Sequence, residues 1–220
     1  MKEIVIFDLD GTLLDTLCDL KNAVNFALNS KKWPRKSKEE VRLAIGNGVA
    51  KLIQRTVPSG ISKEEYQSTL ETFKIYYGTH YDVETKPYPG LLEMLYKLKK
   101  DGFLLAVCTN KIQSIATYLV NRFFPGLFDY VQGDETGVPK KPEPHMINKI
   151  LNRFSLTNQE AIYIGDTDVD RLTAINSNLE YALVEYGYRT KKELAILCPD
   201  SKTVANADEL YSWLKTFQKK

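Results

Sequence analysis

The sequence predicts an α/β fold: a doubly wound parallel sheet that carries an inserted all-α helical cap. Two observations favour the sheet, namely short segments that are apolar throughout and helix-period segments that alternate with them. Strands buried on both faces show no polar alternation, so continuous apolar segments are typical of parallel sheets covered by helices. A third observation, the long interval between the first two apolar segments, predicts the insertion.

Four apolar segments are the candidate strands, and a weaker strand is expected near residues 128–131. Between and after the strands, large apolar residues recur at helical spacing in residues 91–98, 147–151 and 210–217. This alternation predicts helices on both faces of the sheet. The candidate strands are residues 4–7, 103–108, 161–164 and 181–184.

The helical cap is predicted between the first and second strands. About ninety residues separate them, although a crossover needs only about a dozen beyond its helix. Residues 17–28, 49–53 and 66–77 each place apolar side chains on one helical face, and no strand-like segment lies among them. We therefore expect a catalytic α/β core of residues 1–15 and 85–220 and a helical cap of residues 16–84.

Composition excludes several classes of protein. The 220 residues are 43% hydrophobic and 26% charged, which is typical of a globular chain rather than a disordered one. Thirty Lys and Arg against 28 Asp and Glu give a net charge of +2, which argues against a nucleic-acid partner. Three scattered cysteines indicate a reducing compartment, and no apolar stretch reaches the ~20 residues of a membrane helix. We expect a cytoplasmic protein with no membrane partner.

Polar residues end each of the first three candidate strands. Asp8 and Asp10 follow the first, Thr109 and Asn110 end the second, and Asp166 follows the third. Because the carboxyl ends of parallel strands meet at one edge of the sheet, these side chains should converge. Two carboxylates ~4 Å apart repel by about 4 kcal/mol at an effective dielectric near 20. A cluster of Asp8, Asp10 and Asp166 therefore requires a cation, and its oxygen ligands favour Mg²⁺.

This residue set favours phosphoryl chemistry, because an aspartate can attack phosphorus and become an aspartyl phosphate. Asp10 is suited to protonate the leaving oxygen and then to deprotonate the water that clears the intermediate. Lys141 is a candidate for the fixed positive charge that the transition state demands.

Four segments resemble, in chain order, the four motifs of the haloacid dehalogenase superfamily of phosphohydrolases. They are residues 8–16, 109–111, 141–144 and 165–170. The resemblance spans nearly the whole chain and implies a Rossmann-like core. Asn178 stands where the family usually has glycine, and asparagine also tolerates the left-handed conformation expected there.

The resemblance also implies a role for each matched residue. Asp8 would be the nucleophile, Asp10 the acid and base, and Lys141 the stabilising charge. The phosphate would be bound by Thr109, Asn110 and Lys141. Mg²⁺ would be held by Asp8, the backbone carbonyl of Asp10 and Asp166, with Asp170 supporting the site.

One part of the cap bears on the substrate. Residues 42–49 resemble the specificity loop of phosphoglycolate phosphatases, and Asp10 favours a phosphatase because the dehalogenases of the superfamily lack a carboxylate there. The leading substrate is 2-phosphoglycolate, a small phosphorylated metabolite. The candidate specificity residues are Arg42, Gly46, Asn47, Gly48 and Lys51.

Two alternatives remain open. A sugar phosphomutase would use the same site but return the phosphoryl group to the substrate. A receiver-like regulatory domain would store phosphate on an aspartate without catalysis, although a receiver lacks the cap, and Asp10 would hasten loss of the phosphate. The sequence is compatible with a monomer or a homodimer.

Overall fold

A computed structural model describes residues 2–46 and 48–217, and the chain divides into two compact units. The first unit comprises Met1–Leu14 and Pro87–Lys220, and the second comprises Asp15–Lys86. The chain passes between the units at two short strands. No helix in the described part of the chain is long and apolar enough to cross a membrane.

The first unit is built on a six-stranded sheet with the order β5-β4-β1-β6-β7-β8, in which every pairing is parallel. The predicted doubly wound parallel sheet is confirmed. In chain order the strands are β1 (Ile4–Phe7), β2 (Leu14–Asp15), β3 (Lys86–Pro87), β4 (Leu104–Ile112), β5 (Tyr130–Asp134), β6 (Ala161–Gly165), β7 (Glu180–Val184) and β8 (Thr203–Val204).

The helices fall into two groups, because the first four lie in the second unit and the others in the first. A 3-10 turn at Asn158–Glu160 precedes β6. In chain order the helices are α1 (Leu17–Ser30), α2 (Lys38–Ala44), α3 (Gly48–Thr56), α4 (Lys63–Tyr77), α5 (Leu91–Lys100), α6 (Gln113–Phe123), α7 (His145–Phe154), α8 (Asp168–Asn176), α9 (Lys191–Leu197) and α10 (Ala207–Lys215).

The central strand β1 is covered on both faces. All four of its residues are fully buried, and successive strand residues point to opposite faces. Ile4 and Ile6 belong to one hydrophobic cluster with Ile147 and Ile150 of α7. Burial on both faces therefore explains why the sequence of β1 is apolar without interruption, as predicted from the sequence.

Some elements differ from the sequence-based expectation. Helices α2, α6 and α9 and the short strands β2, β3 and β8 were not expected. Helices α2 and α9 begin with a capping box, Ser37 with Glu40 and Thr190 with Glu193, so a start signal was present in the sequence. Asn178 ends the turn after α8 with a φ of 52°, as expected for a residue that replaces glycine.

The second unit is a bundle of α1 to α4 held by buried polar residues as well as by apolar packing. The Asp19 carboxylate, 1% exposed, accepts hydrogen bonds from the backbone N–H of Glu84 and Thr85 and from the Thr85 hydroxyl. Asn25 exchanges two hydrogen bonds with the backbone of Lys36. These contacts fix the segments that flank the helices within this unit.

Candidate active site

Three neighbouring strands deliver the polar residues of the site. Strand β1 lies between β4 and β6, so the chain connections diverge from it in both directions. In open parallel sheets, ligands bind at the carboxyl ends of the strands at such a point. Asp8 and Asp166 directly follow β1 and β6, whereas Thr109 lies within β4, which continues three residues beyond the end predicted at Thr109. The Asp8 N–H donates to the Ile164 carbonyl at 2.8 Å.

The centre of the site is a group of buried carboxylates around one ammonium. One carboxylate oxygen each of Asp8, Asp166 and Asp170 lies within 4.8 Å of the others. Lys141 Nζ lies 2.9 Å from Asp8 Oδ1 and 2.8 Å from Asp170 Oδ1. All four residues are buried, and Asp8, at 8% exposed, is the most accessible of them. Three acids and one base thus share a site from which water is largely excluded.

Asp170 is fixed by α8 as well as by Lys141. Its Oδ2 accepts hydrogen bonds from the N–H groups of Asp166 and Thr167 and from the Thr167 hydroxyl, which closes a capping box at the start of α8. Burial alone would raise the pKa of Asp170, but the adjacent Lys141 outweighs it, and the net shift is downward. Asp170 is therefore an ionised, immobile anchor for the Lys141 ammonium.

Ionisation of the other two acids is unfavourable. Burial raises the pKa of Asp8 to about 7, although Lys141 opposes this shift. Burial, reinforced by the charges of Asp170 and Asp8, raises the pKa of Asp166 well above its usual range. Asp166 accepts hydrogen bonds from the Thr12 hydroxyl at 3.1 Å and the Tyr188 N–H at 2.7 Å. A second positive charge beside Asp8 and Asp166 would relieve this cost.

Three glycines allow the backbone to close around these acids. A Cβ at Gly11, where φ is 89°, would collide with the Asp166 carboxylate, and one at Gly165 would collide with that of Asp170. A Cβ at Gly187, after β7, would meet both Asp166 and the Gly11 carbonyl. The site therefore demands glycine at three positions that are distant in sequence.

The donor set fits a Mg²⁺ ion. It consists of oxygen atoms, which this hard cation prefers, with no histidine or cysteine ligand among the three grouped residues. Within residues 2–46 and 48–217, the buried Asp8 Oδ1 receives no well-aligned hydrogen bond, although Lys141 Nζ is near it. A buried carboxylate oxygen in this condition is suited to a metal.

The Asp10 carboxylate is not one of the three grouped acids, and the metal role expected for the Asp10 backbone carbonyl stays a prediction. The expected cluster was Asp8, Asp10 and Asp166, whereas the structure groups Asp170 with Asp8 and Asp166. The Asp10 carboxylate instead contacts Lys111 Nζ at 2.8 and 3.1 Å. The reason is that α8 turns Asp170 back to the strand end, while Lys111 attracts the Asp10 side chain.

The end of β4 holds the loop that carries Lys141. The Asn110 side chain donates to the Lys141 carbonyl at 3.1 Å and accepts from the Lys141 N–H at 2.9 Å. Thr109 is 2% exposed, and its hydroxyl accepts the Lys111 N–H at 3.3 Å. Asn110 therefore positions the backbone of Lys141, and its phosphate-binding role stays a prediction.

Sequence reasoning missed two side chains of the site. The Tyr163 hydroxyl receives a hydrogen bond from Lys141 Nζ at 2.9 Å and lies 3.0 Å from Asp170 Oδ1. Lys111 pairs with Asp10. In the sequence, Tyr163 belongs to the apolar segment 161–164, and a hydroxyl within a buried strand is the available signal. Lys111 belongs to the matched segment 109–111, where the resemblance implies no role for it.

The candidate specificity residues lie in the second unit, around the end of α2 and the start of α3. The Arg42 guanidinium pairs with Glu39 at 2.7 Å, and Lys51 donates to the Gln54 side chain at 2.9 Å. Gly46 and Gly48 have φ values of 128° and 82°. The Gly46 carbonyl accepts a hydrogen bond from Arg55. Asn47 lies outside the described residues.

Comparison with known proteins gives a consistent result. A family model described as haloacid dehalogenase-like hydrolase matches residues 5–184. Phosphoglycolate phosphatase 1 of Pseudomonas aeruginosa is 31% identical over 205 residues, which cover 90% of this chain and 75% of that protein. Phosphoglycolate phosphatase of Aquifex aeolicus is 32% identical, and the match covers 84% of this chain and 85% of that one.

A solved structure agrees with these sequence relatives. A crystal structure from Lactobacillus delbrueckii subsp. bulgaricus, described as a candidate phosphoglycolate phosphatase, superposes with a TM-score of 0.92 at 30% identity. The match covers 97% of this chain and 99% of that chain. The similarity therefore extends across both units of the chain.

Proposed function

Because the chain belongs to the haloacid dehalogenase-like hydrolase family, we propose that it is a Mg²⁺-dependent phosphatase that hydrolyses a small phosphomonoester through an aspartyl phosphate. One observation carries this proposal: the buried group of Asp8, Asp166 and Asp170 around Lys141 at the carboxyl end of β1. Burying three carboxyl groups beside one ammonium destabilises the folded protein unless a bound ion or ligand supplies further positive charge.

The proposed first step transfers the phosphoryl group to Asp8. A carboxylate oxygen of Asp8 forms a bond to phosphorus while the bond from phosphorus to the leaving oxygen breaks. Asp10 gives its proton to that oxygen, so the product leaves as a neutral alcohol. Lys141 supplies a fixed positive charge, and the Thr109 hydroxyl donates a hydrogen bond to the transferred group.

The second step regenerates the enzyme. Asp10, now a carboxylate, takes a proton from a water molecule that attacks the phosphorus of the aspartyl phosphate. The bond between Asp8 and phosphorus breaks, and inorganic phosphate is released. Asp10 is thus acid in one step and base in the next, and it ends the cycle protonated as it began.

The residues proposed to hold Mg²⁺ are Asp8, Asp166 and the backbone carbonyl of Asp10, with Asp170 supporting the site. A bound Mg²⁺ ion would neutralise charge on the nucleophile and on the phosphoryl group. Asp166 is suited to this role because the Thr12 and Tyr188 hydrogen bonds fix its carboxylate. Asp170 supports it by fixing the backbone N–H groups of residues 166 and 167.

The proposed substrate is 2-phosphoglycolate. The names of the relatives from Pseudomonas aeruginosa and Aquifex aeolicus support this choice, as does the resemblance of residues 42–49 to their specificity loop. The substrate carries a carboxylate beside the phosphate, and cations bind carboxylates well. We therefore keep Arg42, Gly46, Asn47, Gly48 and Lys51 as the proposed specificity residues.

The test is release of inorganic phosphate from p-nitrophenyl phosphate and from 2-phosphoglycolate, with Mg²⁺ and with excess chelator. A phosphatase releases phosphate from both, only with Mg²⁺, and prefers 2-phosphoglycolate in kcat/KM. Stoichiometric labelling without turnover would indicate a receiver-like domain. Isomerisation of a sugar phosphate without phosphate release would indicate a phosphomutase.

A further inference from the structure

We propose that Lys111 is a positioning residue for Asp10, fixing the carboxylate that exchanges protons with the leaving group. The inference rests on the proposed function, because it assigns Lys111 a part in the acid and base work of Asp10. Its starting point is the ion pair between Lys111 Nζ and both Asp10 carboxylate oxygens, at 2.8 and 3.1 Å.

The two partners differ in burial. The Lys111 side chain is 4% exposed, whereas that of Asp10 is 20% exposed. Burying an ammonium is unfavourable unless it is paired, so Lys111 is held in place by its environment and by this contact. The Asp10 carboxylate remains partly exposed. A group that transfers a proton to a leaving oxygen needs such access. The lysine is the fixed partner, and the aspartate is the one it orients.

The local course of β4 explains how Lys111 reaches Asp10. Cys108 pairs with Gln132 of β5, and Ile112 pairs with Asp134, so four steps along β4 oppose two along β5. The intervening bulge contains Thr109, Asn110 and Lys111. Bulges change the direction of side chains and are frequent next to active sites. Here the irregularity lets consecutive residues contact different parts of the site.

Strand β5 is adapted to this bulge. A Cβ at Gly133 would lie 2.8 Å from the Lys111 carbonyl and 2.7 Å from Gln113 Cα, closer than real Cβ contacts. The Gly133 N–H donates to the Gln113 side chain. The bulge that carries Lys111 therefore requires glycine at position 133 of the neighbouring strand. This requirement is a second, independent indication that the sequence specifies the backbone conformation at Lys111.

Fixing the Asp10 carboxylate affects both proton transfers, but only the one at the leaving oxygen differs between esters, because the aspartyl phosphate hydrolysed in the second step is the same for all of them. An ester whose leaving group is a weak base departs with little help, whereas one with a strongly basic leaving group needs the proton. Loss of positioning at Asp10 should therefore slow the second ester far more than the first. A lysine that only stabilised the fold would affect both esters equally.

The experiment measures kcat/KM, which reports only the step that forms the aspartyl phosphate, for p-nitrophenyl phosphate and phenyl phosphate, since phenolate is much the stronger base. Lys111→Met should lower kcat/KM for phenyl phosphate about tenfold more than for p-nitrophenyl phosphate. Lys111→Arg should restore most of the difference. Lys97→Met, which removes a partly exposed lysine paired with Glu93, is the matched control and should leave the ratio unchanged. Should Lys111→Met not fold, Lys111→Gln replaces it in the same comparison.

An Asp10→Asn background separates this inference from the function beneath it. Asp10→Asn should change the ratio in the same direction, and adding Lys111→Met should change it no further. If Asp10→Asn changes the ratio but Lys111→Met does not, only the role of Lys111 is overturned. If Asp10→Asn leaves the ratio unchanged, the acid role of Asp10 falls, and the inference falls with it. Equal losses on both esters with Lys111→Met would also overturn the inference.

Discussion

The acidic site and the candidate specificity loop differ in how deeply their charged side chains are buried and in how those charges are compensated. In the first, Asp8, Asp166 and Asp170 are buried, and burial raises the pKa of Asp8 and Asp166 although Lys141 lies beside Asp8. In the second, Arg42 is neutralised by Glu39 on its own helix, and Lys51 is exposed. Ionising all three acids would therefore be favoured by a further cation, and we expect substitutions in the acidic site to cost more than substitutions in the loop, whose charges are paired locally or exposed.

The contribution of an ion pair to the free energy of unfolding depends on how deeply the pair is buried. An ion pair exposed to water contributes about 0–1 kcal/mol, whereas removing one partner of a buried pair costs about 3–5 kcal/mol. A family that keeps its chemistry while changing its substrate needs both kinds of region. We therefore expect substitutions in the two regions to differ in size and also in which property they change.

The largest effect should follow Asp8→Asn. The amide cannot attack phosphorus, and uncatalysed hydrolysis of phosphate monoesters is extremely slow, so kcat should fall by at least about three orders of magnitude. Asp208→Asn, an exposed change at the start of α10, is the control and should keep full activity. Retention of more than about a tenth of the activity by Asp8→Asn would exclude covalent catalysis at Asp8.

The next effect concerns stability. Lys141→Met leaves Asp8 and Asp170 buried without their shared partner, so the free energy of unfolding should drop by about 3–5 kcal/mol in urea titrations. Lys149→Met removes an exposed lysine paired with Glu135 and should cost less than about 1 kcal/mol. Similar losses in both variants would mean that the buried network contributes no more than a surface pair.

Metal binding should stabilise the acidic site through mass action. At a Mg²⁺ concentration one hundred times its Kd, the free energy of unfolding should rise by about 2.7 kcal/mol, measured as a higher Tm. Asp166→Ala should remove most of this rise. Ca²⁺, which takes a larger and looser oxygen shell, should support turnover poorly. A Tm that does not respond to Mg²⁺, together with full activity in chelator, would contradict the predicted metal site.

The smallest effect should come from the loop, and it should depend on the substrate. Arg42→Ala should lower kcat/KM for 2-phosphoglycolate by a factor that corresponds to about 1–3 kcal/mol of lost transition-state stabilisation. The value of kcat/KM for p-nitrophenyl phosphate should stay nearly unchanged, because only 2-phosphoglycolate carries a carboxylate. Asn47→Ala is expected to behave in the same way. Lys38→Ala, an exposed cation on the same helix, is the control. Equal losses on both substrates would remove the specificity assignment.

Much of the fold could be predicted because burial on two faces leaves a direct mark on the sequence. Strands β1 and β6 were found as continuous apolar segments, and the family resemblance from the four motifs is confirmed by the match over residues 5–184. Strand β8 has two residues and α9 has seven, so neither carries a long periodic pattern. Short elements of this kind are defined by their neighbours rather than by their own sequence.

The sequence by itself determined which residue types stand at the strand ends, because a buried parallel strand requires an apolar segment and the polar residues must follow it. Only the tertiary structure decided how those residues are paired. It placed Asp170 rather than the Asp10 carboxylate in the acidic group and set Lys111 against Asp10. It also requires glycine at position 187, because a Cβ there would collide with the Asp166 side chain. The physical reason is that pairing depends on distances of a few ångströms between segments that lie far apart in the chain, and sequence spacing carries no record of them.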